Sequence, residues 1–226
     1  MRSLLLSLAL LAGTGVAPAQ TAHLPSMGAG DFRVPVTSIR EARWAGTLLQ
    51  QYDFSCGSAA LATLLTHHYG YPVSEQTVFE EMYAQGDQQK IQREGFSLLD
   101  MKRLLAKLGF EADGFEQPLE KLNEANVPAI VLINEKGYHH FVVVKGVQPD
   151  RVLIGDPAQG TRAVARQAFD ASWQNRVLFV VHNRMDTARF NLQADWRVAQ
   201  RAPVSDGLNR IGAAGITLPR LGPGDF

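Results

Sequence analysis

The stretch Gln50-Gln51-Tyr52-Asp53-Phe54-Ser55-Cys56-Gly57-Ser58-Ala59-Ala60-Leu61 carries the only cysteine of a 226-residue sequence. Ahead of Cys56 the residues are polar, aromatic and turn-forming, and residues 57–69 behind it are a run of small residues and leucines with helical spacing. Cys56 is therefore expected at or just before a helix N-terminus, where unpaired backbone N–H groups and the positive end of the macrodipole favour a thiolate. A lone cysteine also reads as a buried structural thiol. What surrounds it in the chain decides between the two.

Working outward, the helix behind Cys56 places Ala59, Ala60, Thr63 and Leu64 near i, i+3 and i+4 spacing, with Gly70 as its stop. Ser74 suits the cap of a second helix to about residue 84, and residues 86–94 read as a polar loop rich in glutamine, in the position of a flap or a solvated connection. Ser97-Leu98-Leu99-Asp100 fits a capping box, with Leu98, Met101, Leu105 and Leu108 as an apolar stripe ended by Gly109. Pro118 opens a short helix to about residue 125. After Pro128 the period changes: residues 129–133, 140–147, 152–155, 161–164 and 177–181 read as turn-linked strands, with a short helix over 166–172. Helices first and strands second predict an α+β fold in which an antiparallel sheet packs against the early helices.

Composition narrows the function. With 46% hydrophobic residues the chain can bury a core, and 22 basic against 22 acidic residues leave no net charge to draw nucleic acid or an anionic membrane. Arg2, the apolar residues 4–12 and Ala17-Pro18-Ala19 read as an export signal, too short to span a bilayer. The expected organisation is a signal peptide over 1–19, a loosely docked arm over 20–45 with Val34-Pro35-Val36 as an edge strand, a central α+β domain over 46–182, and a C-terminal extension over 183–226 anchored by Phe190 and Trp196. The expected location is a bacterial periplasm, where an unpaired thiol argues for chemistry. Gly28-Ala29-Gly30-Asp31-Phe32 resembles Gly222-Pro223-Gly224-Asp225-Phe226, a repeat without a physical account.

A cysteine nucleophile needs a base, and the base needs a group to fix its tautomer. His140 begins one strand and Asp156 ends the next, so antiparallel pairing brings both to one end of the sheet. His140 then accepts the Cys56 proton and Asp156 accepts from the other ring nitrogen. Gln50 supplies a side-chain N–H for the oxyanion, with the Cys56 backbone N–H as second donor. His139 alternates to the opposite face. His67 and His68, late in the first helix, suit its negative end as cations and lack the further ligands zinc needs. Trp44, Tyr52, Tyr69 and Tyr138 read as groove or core aromatics. No nucleotide, flavin or other cofactor is indicated.

Gln50 to Leu61, His140-Phe141-Val142-Val143-Val144 and Gly155-Asp156-Pro157 resemble the papain-like cysteine peptidases that remove double-glycine leader peptides from bacteriocins. In that family glutamine precedes cysteine by six positions and aspartate follows histidine by sixteen, intervals that Gln50, Cys56, His140 and Asp156 reproduce. The resemblance implies a Cys56–His140–Asp156 set with Gln50 at the oxyanion, a papain-like α+β fold, and small residues at the scissile bond. It departs from the family at Ser55, where aspartate usually stands, and carries no phosphate-binding glycine loop. It is nearer the stand-alone exported members, among them accessory peptidases of pseudomonad functional-amyloid secretion. That implies a secreted peptide or protein as substrate, an amyloid subunit or an export component. A peptidase-like module that grips a peptide without cutting it, and an acyl or amide transferase with the same thiol, are the rival expectations.

Overall fold

The structure is a computed structural model and describes residues 21–24, 32–35 and 37–199. The expected signal segment, the C-terminal copy of the glycine-rich repeat and all but one residue of the first copy lie outside the described residues. Within the arm, β1 (Thr21–Leu24) and β2 (Phe32–Pro35) pair antiparallel, with Ala22 opposite Val34, and this hairpin is a unit of its own. The rest of the fold begins at Ile39.

There, α1 (Ile39–Trp44) is followed by α2 (Cys56–Thr63), which runs on as a π-helical turn over Leu64–His68. Gly70, at φ 64°, ends it in the left-handed region that glycine enters without strain. In α3 (Glu75–Gln85) the Ser74 side chain accepts from the Thr77 N–H. The polar loop expected next is instead a helix, α4 (Gln88–Glu94), capped by the Asp87 carboxylate on the Lys90 N–H and pinned by Ile91, 2% exposed. Then α5 (Leu98–Lys107) starts on the reciprocal Ser97–Asp100 capping box.

A strand with no expected counterpart, β3 (Ala112–Glu116), precedes α6 (Glu120–Ala125). After it come β4 (Ala129–Glu135), β5 (Tyr138–Val147), β6 (Arg151–Asp156), β7 (Gly160–Ala165), α7 (Arg166–Ser172) and β8 (Val177–Val181). Their order in the sheet is β3-β8-β4-β5-β6-β7, antiparallel throughout. Alternation along β5 gives each face its own core. Val143 packs with Leu61, Leu65, Met82 and Met101 from α2 and its flanking helices. Val142 and Val144 pack with Ile154, Phe169 and Trp173 on the other side. The fold is thus α+β as expected, with α6 and α7 covering the face the early helices leave open.

The folded unit continues past residue 182. Phe190 and Trp196 are both buried. The main chain of Arg189 donates to His68 O at 2.8 Å and that of Asn191 to Lys145 O at 2.8 Å. Lys145, wholly buried, donates to Gly46 O at 2.7 Å and pairs with Asp195 at 3.3 Å. His68 is corrected from helix-end cation to neutral core residue: burial, with the nearby Lys145 charge, lowers it to about 3.

Candidate active site

The segment ahead of Cys56 is shaped by its own side chains. Ser55 Oγ accepts from the Tyr52 N–H at 3.1 Å and donates to Tyr52 O at 3.0 Å, closing a turn with the hydroxyl that replaces the family's aspartate. The Gln50 N–H donates to Pro157 O at 3.1 Å, tying this segment to the residue after Asp156. Behind the turn, α2 can approach its neighbours because residue 57 is glycine: a Cβ there would lie 2.9 Å from Phe96 Cβ and 3.0 Å from Met101 Cε. Cys56 is the first residue of the helix and only 8% exposed.

The main-chain N–H groups of Phe141, Gly57 and Cys56 itself are directed so as to favour the thiolate. Phe141 directly follows His140, so the thiol sits against the start of β5. Burial pushes the Cys56 thiol up, and the negative Asp156 adds to this, against the lowering by those N–H groups. The helix terminus favours the thiolate as expected, but desolvation outweighs it, so ionisation depends on a base as well.

Antiparallel pairing of β5 with β6, Val143 opposite Gly155, brings His140 and Asp156 to the same end of the sheet. His140 Nε2 lies 3.3 Å from Asp156 Oδ2, both side chains being buried. Its Nδ1 is buried with no hydrogen-bond partner, so one ring nitrogen is anchored and the other is free to exchange a proton. Burial by itself would raise the Asp156 carboxyl; hydrogen bonds from His140, the Ala158 N–H and Arg162 outweigh it and hold the group below the ordinary carboxylate range. His139 is exposed and hydrogen-bonded to Asn134, away from this cluster.

Gln50 Nε2 donates to Tyr52 O at 3.1 Å, and its amide also meets the Tyr138 hydroxyl. Two residues go unassigned when the sequence is read alone. Arg162 donates to Asp156 Oδ2 through Nε at 3.2 Å and Nη2 at 2.9 Å, and through Nη2 to Glu135 at 2.6 Å. Glu135, His140 and Asp156 have metal-like spacing, and the guanidinium between the two carboxylates accounts for their approach. The Asp156-Pro157 turn and the basic residue six positions on were the available signal, since a tight hairpin that pairs Asp156 with Gly160 and Ile154 with Arg162 leaves residue 162 on the diagonal of 156. Two clefts flank the cluster. An apolar one of about 360 Å³ is lined by Leu98, Ile130, Leu132, Phe141 and Val177. A more polar one of about 560 Å³ is lined by Glu135, Lys136, Tyr138, His140 and Gln159.

An antiparallel sheet that sets a histidine on a buried aspartate, with a cysteine at a helix start against the strand carrying that histidine, is the arrangement of a cysteine peptidase. Residues 46–185 match the model of the Peptidase C39 family, and the chain belongs to that family. Over 187 residues it is 41% identical to the "Probable functional amyloid protease FapD" of Pseudomonas aeruginosa, with 82% of each chain covered. It is 40% identical over 187 residues to the protein of the same name from Pseudomonas fluorescens, covering 83% of this chain and 82% of that one. Among solved structures, the peptidase domain of Streptococcus ComA, a bi-functional ABC transporter involved in a quorum sensing pathway, is 25% identical with a TM-score of 0.50; the match covers 60% of this chain and 97% of that one.

Proposed function

We propose that the chain is an exported endopeptidase that acts in the periplasm on a secreted peptide or protein, with Cys56 as nucleophile, His140 as proton carrier, Asp156 as its anchor and Gln50 as oxyanion donor. The observation that carries the assignment is the His140 ring, held at Nε2 by a buried carboxylate and unpartnered at Nδ1, next in sequence to Phe141, whose main-chain N–H favours the Cys56 thiolate. In the first half-reaction Sγ bonds to the scissile carbonyl carbon as its proton passes to Nδ1. Gln50 Nε2 and the Cys56 main-chain N–H receive the charge on oxygen. The C–N bond breaks, the imidazolium proton goes to the leaving amine, and a thioester remains. Water, losing a proton to Nδ1, attacks the thioester and releases the acid and the thiol.

The apolar cleft beside Phe141 suits apolar residues of a substrate segment, and the family resemblance implies glycine or other small residues at the scissile bond. The likeness to proteins named functional amyloid proteases directs the substrate reading to an amyloid subunit or a component of its export. The apolar run at residues 4–12 supports export, and among the described residues no helix is long and apolar enough to cross a membrane. The test compares secreted and periplasmic proteins of cells carrying this chain or Cys56→Ser, with termini mapped by mass spectrometry. A secreted protein that keeps an N-terminal segment only in Cys56→Ser cells supports the reading, and identical termini in both strains oppose it.

A further inference from the structure

Tyr138 opens β5 two residues before His140, so strand alternation turns both side chains to one face. Its ring stacks on the imidazole, with centroids 5.0 Å apart and planes inclined by 28°. At its far end the hydroxyl donates to the main-chain oxygen of Asp53 at 3.1 Å and meets the Gln50 amide. One side chain thus touches the imidazole at the start of β5 and the loop before Cys56, two parts of the chain joined otherwise by long-range contacts. The ring is 45% exposed, against 8% or less for the core aromatics Tyr69, Phe96 and Phe179, so burial of apolar area does not explain its position.

We propose that Tyr138 is a positioning residue of this peptidase: its ring fixes the plane of the His140 imidazole while its hydroxyl pins the loop that presents Gln50, setting the spacing between proton carrier and oxyanion donor. This rests on the roles assigned to His140 and Gln50 above. A single hydrogen bond to Asp156 leaves the imidazole free to swing about that bond, and a stacked ring removes this freedom. When the imidazole takes the thiol proton, the aromatic face also attracts the resulting cation. The charged or titratable groups facing it are Asp156 from β6, with Glu135 from β4 and Arg162 from β7 beside that carboxylate, while Cys56 in α2 lies against the main chain of the next residue, Phe141. Tyr138 adds no charge to them, because burial foremost pushes its hydroxyl up.

The test uses the full chain and its Tyr138→Phe and Tyr138→Leu variants, with two probes: iodoacetamide on Cys56 across pH, and an internally quenched peptide with a Gly-Gly core. Tyr138→Phe keeps the stack and loses the tether. It should leave the alkylation profile in place and lower kcat about two- to tenfold at unchanged KM, the equivalent of one hydrogen bond. Tyr138→Leu loses both, and should move the profile up by about half a pH unit with a further drop in kcat. If both variants match wild type in profile and kcat, or both lose activity only in proportion to lost thermal stability with no recovery in Tyr138→Phe, the proposal is overturned. His140→Ala separates this from the assignment beneath it: should that variant alkylate like wild type, the role of His140 falls, whereas a normal His140→Ala response with indifferent Tyr138 variants removes Tyr138 alone.

Discussion

At the scale of the residue, the site depends on converting a buried thiol that resists ionisation into a nucleophile. Burial raises Cys56, so in the proposed mechanism the acceptor nitrogen of His140 provides what the helix terminus does not. In the proposed mechanism Gln50 enters only when charge develops on the carbonyl oxygen. Gln50→Ala should therefore lower kcat by about 10²–10³ while leaving iodoacetamide modification of Cys56 nearly unchanged; equal losses in both assays would place Gln50 elsewhere in the mechanism. Arg162 acts one step back, by holding Asp156 charged and in place. Arg162→Met should cost about 1.5–3 kcal/mol in urea denaturation, the range for hydrogen bonds to a charged partner, and should slow cleavage with it. Gln50, Cys56, His140 and Asp156 were visible as candidates because their chemistry and intervals are linear features. Arg162 and Glu135 were not, since their meaning arises only when hairpin and sheet register bring them to Asp156.

Elements were legible where local chemistry decides them. Ser74 and the Ser97–Asp100 box mark helix starts through side-chain bonds within one turn, and the valine-rich β5 marks itself by composition. The helix α4 escaped because six of its seven residues are polar and only Ile91 is buried. The strand β3 escaped because Ala-Asp-Gly-Phe-Glu has little strand character, and its pairing with β8, over sixty residues away, is what holds it. Ile91→Ala is accordingly expected to cost about 2–5 kcal/mol, although it sits in a segment that reads as loop. The extension after β8 is fastened by Lys145 and Asp195. Asp195→Ala leaves a wholly buried ammonium without its carboxylate and should destabilise by about 3 kcal/mol, the low end for such pairs because Asp195 keeps a fifth of its surface in water. Lys145→Met combined with Asp195→Leu should recover much of that loss, and a double variant no better than the single one would show that the charge pair is not what matters.

For the whole molecule, the match to the Peptidase C39 family ends at residue 185, yet the fold draws Phe190, Asp195 and Trp196 into contact with the peptidase core. A chain stopped at 185 should unfold at lower urea than the full chain. The same region sets a pH dependence. His68, under Arg189, has a folded value near 3 against an ordinary 6.5, so the unfolded chain binds the proton more readily. Stability from this group is complete above about pH 6.5 and falls by about 1.4 kcal/mol per unit as pH drops toward 3. Urea midpoints measured between pH 7 and 5 should decline in wild type and flatten in His68→Gln. The claim that these parts serve is that Cys56 forms a covalent acyl intermediate during peptide cleavage. Acid-quenched mixtures of the protein with a Gly-Gly peptide, read by intact mass and peptide mapping, should show the N-terminal fragment as a thioester on Cys56, absent in Cys56→Ala. Cleavage that persists in Cys56→Ala, with no adduct on the wild-type thiol, would contradict it.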